Sequence, residues 1–256
     1  MKEKISILGC GWLGLPLAEN FIASGFSVQG STTSKDKIQL LLEKEIKPYL
    51  INLSNLQTNL SSFLNTDILI INIPFFDFEI FEKLVSHINK SRVSRVIFIS
   101  STSVYKNSSE TITEESETKD IPLSKIENLF ISNSNFKTTV IRFAGLIGYN
   151  RKPSNFFPKG VTIKNPEGVI NMIHRDDCVK IIEEVINQNL WGDILNGCSS
   201  SHPVRRTFYS RAYINSGREV PAFIENEAII IKKISNQKLI SKLSFVFKYP
   251  DILSCV

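Results

Sequence analysis

Cysteine and histidine are too few and too scattered to build a metal or disulfide framework. Cys10, Cys178, Cys198 and Cys255 form no CxxC pair, and His87, His174 and His202 lie far apart with no HExxH arrangement. These absences exclude the common zinc spacings and a small cross-linked scaffold, and they fit a reducing compartment. No window holds the ~18 apolar residues that a membrane-spanning helix needs. The opening Met1-Lys2-Glu3-Lys4-Ile5 lacks the apolar core and cleavage site of a secretion signal. With 12 Gly, 10 Pro and 42% hydrophobic residues, the composition also excludes collagen, low complexity and disorder. A soluble, cytoplasmic protein is expected, with no membrane partner and no bound metal.

Positive charge is in slight excess and sits at one end. The 256 residues carry 30 Lys and Arg against 25 Asp and Glu, a net +5. That is too little to point to nucleic acid without a basic stripe or motif. Residues 1–150 hold 15 basic and 15 acidic side chains, so the whole excess falls in residues 151–256.

What the chain has in abundance is alternation. Ile5–Leu8, Phe26–Gln29, Tyr49–Asn52, Asp67–Ile73, Arg95–Ser100 and Thr138–Phe143 are short runs with strand character. Helical patterns lie between them. One covers Trp12–Ser24 and is closed by Gly25. The next starts from an N-cap at Ser34 and buries Ile38, Leu41 and Leu42. A third runs through Phe78, Phe81, Leu84, Val85 and Ile88, and a fourth lies near Ser124–Ser132. Apolar strands separated by amphipathic helices predict an α/β fold, a Rossmann-type doubly wound parallel sheet covered on both faces. After Gly148 the prolines at 153, 158, 166, 203 and 221 break the chain into shorter pieces, with helices expected over Asp177–Gln188 and near Gln237–Leu243. The expected organisation is a Rossmann domain over residues 1–150 and a smaller C-terminal lobe over 151–256 that partly returns to the sheet.

Gly9-Cys10-Gly11-Trp12-Leu13-Gly14 is a GxGxxG loop placed between the first strand and the first helix. The first glycine permits a tight turn, the second lets backbone approach a pyrophosphate, and the third allows close strand–helix packing. The helix N-terminus then faces the phosphate charge. The plain alternative is a glycine turn without a ligand. Trp12 either packs over the cofactor or staples helix to sheet. An acidic residue about 20 positions beyond the loop would hold a ribose 2′-hydroxyl. Here Val28-Gln29-Gly30-Ser31-Thr32-Thr33-Ser34-Lys35 offers none before Asp36. Hydroxyls and Lys35 around a 2′-phosphate would favour NADP over NAD; otherwise Lys35 is a solvated first-turn charge.

Ile97-Phe98-Ile99-Ser100-Ser101-Thr102-Ser103-Val104-Tyr105 resembles the SSxxVYG stretch of the extended short-chain dehydrogenases/reductases, the NAD-dependent epimerase/dehydratase family. Ile141–Gly148 is similar to that family's sixth-strand exit, Val169–Asp177 to its segment before a later helix, and Leu195-Asn196-Gly197 to a following strand. The glycine loop and Arg142-Phe143-Ala144-Gly145-Leu146-Ile147-Gly148 are closest to the YeeZ-like bacterial subgroup. The resemblance implies an NAD(P)-dependent oxidoreductase, epimerase- or dehydratase-like, acting on a sugar-like or nucleotide-linked substrate. A homodimer built from helices on one sheet face is also implied. On the same resemblance the cofactor set is Gly9, Gly11, Trp12, Leu13, Gly14, Ser31, Thr32, Lys35, Ile73, Pro74 and Ser100.

Chemistry in this family needs a Ser or Thr, a Tyr and a Lys. The phenol exchanges the substrate proton, the Lys lowers its pKa, and the Ser or Thr orients the same oxygen. Ser101 matches the Ser/Thr. Tyr105 corresponds to the VYG tyrosine, usually not the acid/base. The YxxSK spacing falls on Ile121-Pro122-Leu123-Ser124-Lys125, with Ile121 where the tyrosine belongs. Lys125 is either the family lysine or a surface charge, and Ser124 is a weak substitute for a phenol. Two functions remain open: an oxidoreductase lacking its usual Tyr, or a non-catalytic dinucleotide-binding sensor or interaction protein.

The substrate set implied by the resemblance is Thr102, Arg142, His174, Arg205 and Arg206. Asp176 or Asp177 reads as a helix N-cap. Arg205 and Arg206 offer forks for phosphate or carboxylate, or are a solvated pair, and Lys232-Lys233 has the same ambiguity. A basic C-terminal half beside a neutral cofactor half points to a small anionic substrate.

Overall fold

The computed structural model describes residues 3–54, 60–74, 77–225 and 229–256, so Met1 and Lys2 of the opening segment lie outside it. The first half alternates as its periodicity requires: β1 (Lys4–Leu8), α1 (Gly14–Ala23), β2 (Ser27–Thr32), α2 (Lys37–Glu43), β3 (Lys47–Leu50), β4 (Ile68–Ile71), α3 (Phe78–Asn89), β5 (Arg95–Ser101), α4 (Pro122–Ile131) and β6 (Lys137–Phe143). Then come β7 (Gly145–Ile147), β8 (Met172–His174), α5 (Arg175–Asn187), β9 (Ile194–Gly197), α6 (Arg205–Asn215) and α7 (Gln237–Leu243). Seven strands form one sheet in the order β3-β2-β1-β4-β5-β6-β9. This is the doubly wound parallel arrangement, with its order reversing between β1 and β4. β9 extends it in parallel, since Val140 N–H donates to the Asp193 carbonyl and Ala144 N–H to that of Gly197, both at 2.9 Å.

Contacts group the chain into two units that interleave in sequence. The first is Met1–Ser100, Asp120–Ile141 and Ile182–Ile194; the second is Ser101–Lys119, Arg142–Ile181 and Leu195–Val256. The sequence pattern suggested one boundary near residue 150. The contacts instead follow the excursions that leave the ends of β5, β6 and β9, because a segment groups with what it packs against and not with its chain neighbours.

In the first unit α3 starts at Asp77, whose carboxylate accepts the Ile80 N–H at 3.1 Å. It buries Phe81, Leu84, Val85 and Ile88. Phe81, Phe98 and Phe130 form an aromatic cluster with centroids 5.0–6.1 Å apart, extended by Phe136. Each such pair adds about 0.5–1.5 kcal/mol beyond its buried area. α2 departs from the sequence pattern. Ser34 does not cap it, because the Ser34 N–H turns back to the Thr32 hydroxyl at 3.1 Å and the helix begins at Lys37. With that later start Leu41 is the buried residue and Leu42 is 52% exposed.

The second unit has its own core of Ile147, Ile163, Ile170, Met172, Phe208, Tyr209 and Ile252. Its two-stranded parallel β7–β8 pair and α6 have no counterpart in the predicted elements. Neither Asp176 nor Asp177 caps α5, which begins at Arg175. The Asp177 carboxylate accepts the backbone N–H of Lys248 (2.7 Å) and Tyr249 (3.1 Å), and Asp176 accepts the Tyr149 hydroxyl and the Lys248 ammonium, both at 2.8 Å. Both aspartates therefore anchor other segments.

Candidate functional site

Each unit holds one cleft whose lining bears on function. In the first unit a cleft of about 310 Å³ lies at the ends of β1 to β4. Its glycine loop is pinned from two sides. The Gly9 N–H donates to the Ser31 hydroxyl (2.9 Å), the Cys10 N–H to the Ser31 carbonyl (2.8 Å), and the Asn72 side-chain amide to the Gly9 carbonyl (3.1 Å). The three glycines are not equivalent. Gly9 has φ +105°, and a Cβ there would sit 2.3 Å from the Asn72 carbonyl oxygen; a Cβ on Gly14 would sit 2.1 Å from that of Gly9. Backbone packing alone demands those two glycines. A Cβ on Gly11 would meet nothing within 4 Å. The protein's own packing thus leaves the middle position open, which is what a ligand passing over the loop requires. At the start of α1 the Leu15 and Leu17 N–H groups already donate to the Gly11 (3.0 Å) and Leu13 (3.3 Å) carbonyls and Pro16 has no N–H, so what the helix offers a phosphate is the positive end of its dipole beside the loop.

Of the expected cofactor residues, Gly9, Gly11, Ser31, Thr32, Ile73 and Pro74 line this cleft. Trp12, Leu13, Gly14, Lys35 and Ser100 are not among its lining. Leu13 and Gly14 are buried under the loop, and Trp12 is half-buried. Lys35 is exposed, and Lys37 takes its place at the cleft because α2 starts later than expected. Ser100 is 5% exposed and its hydroxyl donates to the buried Glu127 carboxylate. Thr33, Asn52, Ser54 and Asn72 also line the cleft. One signal for Asn72 was available: a lone amide inside the apolar run Asp67–Ile73. No carboxylate lines the cleft among the described residues.

The second unit's cleft, about 500 Å³, is walled by Ser101, Thr102, Ser103 and Asn107 from the β5 exit and by Gly145 and residues 169–172. Lys164, Asn165, Arg205, Tyr209, Ile230 and Lys232 complete it. Among the described residues three cations and no carboxylate line it. Ser101 ends β5 and its Oγ accepts the Ser103 N–H at 3.1 Å, which shapes a 3₁₀ turn over Thr102–Val104. Arg205 and Tyr209 are four residues apart on α6 and share a face. The Arg205 Nε is buried without a protein acceptor. Burial raises the Tyr209 phenol, while the Arg205 charge pulls it down. Lys232 donates to the carbonyls of Thr102 (2.9 Å) and Tyr105 (3.0 Å). Burial, then the Lys119 charge, lower its ammonium to about 8.

The other expected substrate residues lie elsewhere. Arg142 is buried and donates to the Tyr105 hydroxyl (2.8 Å) and the Glu114 carbonyl (3.4 Å), its guanidinium 4.8 Å over the Tyr105 ring. Tyr105 in turn donates to Asn196 Oδ1 (2.7 Å), and the Asn196 N–H to the Glu114 carboxylate (2.8 Å). Arg142 therefore serves a buried structural network. His174 packs against Tyr249 (centroids 3.9 Å) and Tyr149 (5.7 Å), and its Nδ1 accepts the Asp176 N–H at 3.2 Å. Burial lowers its pKa. Arg206 pairs with Glu167 and Glu225, each at 2.8 Å, and lies 4.9 Å over Phe223. The reason it parts from Arg205 is helical geometry: neighbours on a helix point about 100° apart.

Ile121 is the N-cap residue of α4, so the segment with YxxSK spacing occupies only the first helical turn. Lys125 forms an exposed 3.1 Å pair with Asp120, and the Ser124 hydroxyl is buried without a protein partner. Ser101 lines the second unit's cleft; Lys125 lines neither cleft.

Residues 4–124 match the family described as the NAD binding domain of 6-phosphogluconate dehydrogenase. The chain is 29% identical over 269 aligned residues to Protein YeeZ of Escherichia coli (strain K12), with 98% of each chain covered. Among solved structures it is similar to a functionally unknown conserved protein from Silicibacter pomeroyi (TM-score 0.83, 17% identity, 99% of this chain and 96% of that one). It is also similar to UDP-glucuronic acid 4-epimerase from Bacillus cereus in complex with NAD (TM-score 0.79, 18% identity, 98% and 96%). The fold is thus the Rossmann-type fold that these proteins share. No helix among the described residues is long and apolar enough to cross a membrane.

Proposed function

We propose that the chain is an NAD(P)-dependent oxidoreductase of the epimerase/dehydratase type, acting on an anionic, nucleotide-linked sugar. The observation that carries the cofactor reading is Gly11. Its neighbours Gly9 and Gly14 are needed for backbone clearance, whereas Gly11 has open space around it, a requirement that a passing pyrophosphate explains. Gly9, Gly11 and the start of α1 would hold the phosphates. Thr32, Thr33 and Lys37 would surround the adenosine ribose, and the absence of a carboxylate from the described lining favours a 2′-phosphate and hence NADP. When bound, the nicotinamide supplies hydride exchange.

The substrate reading rests on the second unit's cleft, where Lys164, Arg205 and Lys232 gather with no carboxylate among the described lining residues. Arg205, with its buried unpartnered Nε, would take a phosphate or carboxylate oxygen. Ser101 and Thr102 would orient the reacting oxygen. The Bacillus cereus neighbour acts on UDP-glucuronic acid, which makes that compound the first probe. Titration with NADPH and NADH, read by nicotinamide fluorescence, tests the cofactor claim; a folded protein that binds neither refutes it. The sensor reading is favoured by one observation, the N-cap position of Ile121 beside an exposed Lys125. A product assay across nucleotide sugars, repeated with Ser101→Ala and Lys125→Met, separates the two. Turnover lost with Ser101→Ala supports an enzyme, and no turnover on any of them favours the sensor.

A further inference from the structure

In the sequence Lys232 is one half of a basic pair, open between an anion contact and a solvated surface. In the fold its ammonium enters the second unit's cleft and bridges two carbonyls, Thr102 at 2.9 Å and Tyr105 at 3.0 Å. Those carbonyls bracket the 3₁₀ turn that follows Ser101. The amine is thereby fixed to the segment that carries the Ser101, Thr102 and Ser103 hydroxyls in the cleft wall. An ammonium has three donors, so two are committed to the wall and the third remains for a ligand. We propose that Lys232 exchanges a proton with an oxygen of the bound substrate, a task for which position 121 has no phenol. The inference rests on reading this cleft as the substrate site. In the oxidative direction the neutral amine accepts the proton of a substrate hydroxyl. The oxygen becomes a carbonyl as the carbon's hydride leaves for an oxidised nicotinamide dinucleotide. The ammonium returns the proton in the reverse direction.

The surroundings suit that exchange. Lys119 faces the ammonium, and Lys164, Arg205 and the Tyr209 phenol share its cleft, with no carboxylate among the described lining to hold the proton on. Burial and Lys119 bring the amine to about 8. Compared with an ordinary lysine, its neutral fraction near neutral pH is then roughly 200-fold larger.

The test is competitive acetylation of the full chain with acetic anhydride across a pH series, each lysine quantified by peptide mass spectrometry, with and without saturating UDP-glucuronate. A free Nα-acetyl-lysine amide in the same tube serves as the reference. The expected result is half-maximal labelling of Lys232 near its lowered pKa and well below that of the free amine, with at least about tenfold protection of Lys232 by the ligand. Lys232→Arg, which keeps a cation on the two carbonyls, should melt as the parent does yet lose the change of UDP-glucuronate affinity around that pH. Ordinary titration of Lys232 overturns the inference. So does an unprotected Lys232 while calorimetry shows UDP-glucuronate bound, and the substrate reading then stands. A low midpoint with no UDP-glucuronate binding supports the reactive amine and refutes the substrate class instead.

Discussion

Alanine placed at each of the three loop glycines in turn should separate what the fold needs from what the ligand needs. At Gly9 the new Cβ meets the Asn72 carbonyl oxygen at 2.3 Å on a backbone with φ +105°. Strain of that kind costs about 1–3 kcal/mol, and overlap with backbone that cannot rotate away adds a similar amount, so Gly9→Ala should lose about 3 kcal/mol or more. At Gly14 the overlap with the Gly9 carbonyl oxygen, at 2.1 Å, is tighter still, without the unfavourable φ. For a chain of this size each kcal/mol lowers the melting temperature by roughly 2–4 °C, so both variants should melt several degrees early. Gly11→Ala adds a methyl to open space and should change stability by no more than about 0.5 kcal/mol. The same methyl occupies the path of a pyrophosphate, so NADPH affinity should fall at least about tenfold, or about 1.4 kcal/mol. Gly11→Asp, which puts a carboxylate there, should abolish binding. Thermal melts paired with a fluorescence titration read both quantities. Gly11→Ala that melts several degrees low, or that binds NADPH as the parent does, would refute the assignment of the middle glycine to a ligand.

The adjacent arginines should behave oppositely. Arg205→Met should weaken UDP-glucuronate about tenfold or more in calorimetry, since a hydrogen bond to a charged group contributes about 1.5–3 kcal/mol. Arg206→Met should leave affinity unchanged, its partners being the exposed Glu167 and Glu225; equal effects would place the site elsewhere. Arg142→Met should destabilise by about 3 kcal/mol in urea unfolding, because it strips a buried network of its cation; a loss of ligand affinity with unchanged stability would contradict the structural role. His202 is lowered to about 4 by burial, then by the Lys233 charge. Unfolded histidine takes up its proton near pH 6.5, so the folded state binds fewer protons below that value. Its neutral-pH stability is therefore lost progressively as pH falls from about 6.5 towards 4, by up to about 3 kcal/mol. His202→Gln should flatten that slope in urea titrations, and an unaltered slope would assign it to other groups.

The sequence carried the sheet because its signals are local. Apolar runs such as Ile68–Ile71 and the 3.6-residue spacing of Phe81, Leu84, Val85 and Ile88 impose their elements whatever surrounds them, and the glycine loop announces its own turn. α6 was invisible for the opposite reason. Phe208, Tyr209, Ala212 and Tyr213 form its buried stripe, but they lie among arginines and polar residues, and only the second unit's core makes that stripe an inside. α2 failed at its start, where a local Thr32–Ser34 hydrogen bond displaced the cap.

By itself, then, the sequence determined the strand–helix alternation, the glycine loop, the missing tyrosine at position 121 and the basic excess beyond residue 150. Tertiary structure alone decided which charges are available to a ligand. Arg142, His174 and Arg206 are each consumed by partners from 28 residues away (Glu114), from the aromatic Tyr149 and Tyr249, and from Glu167 and Glu225. Lys232 is carried 130 residues along the chain to the Thr102 carbonyl. The physical reason is that a side chain's charge belongs to its residue type, whereas its partners, solvation and pKa are set by whatever the folded chain brings within a few ångströms.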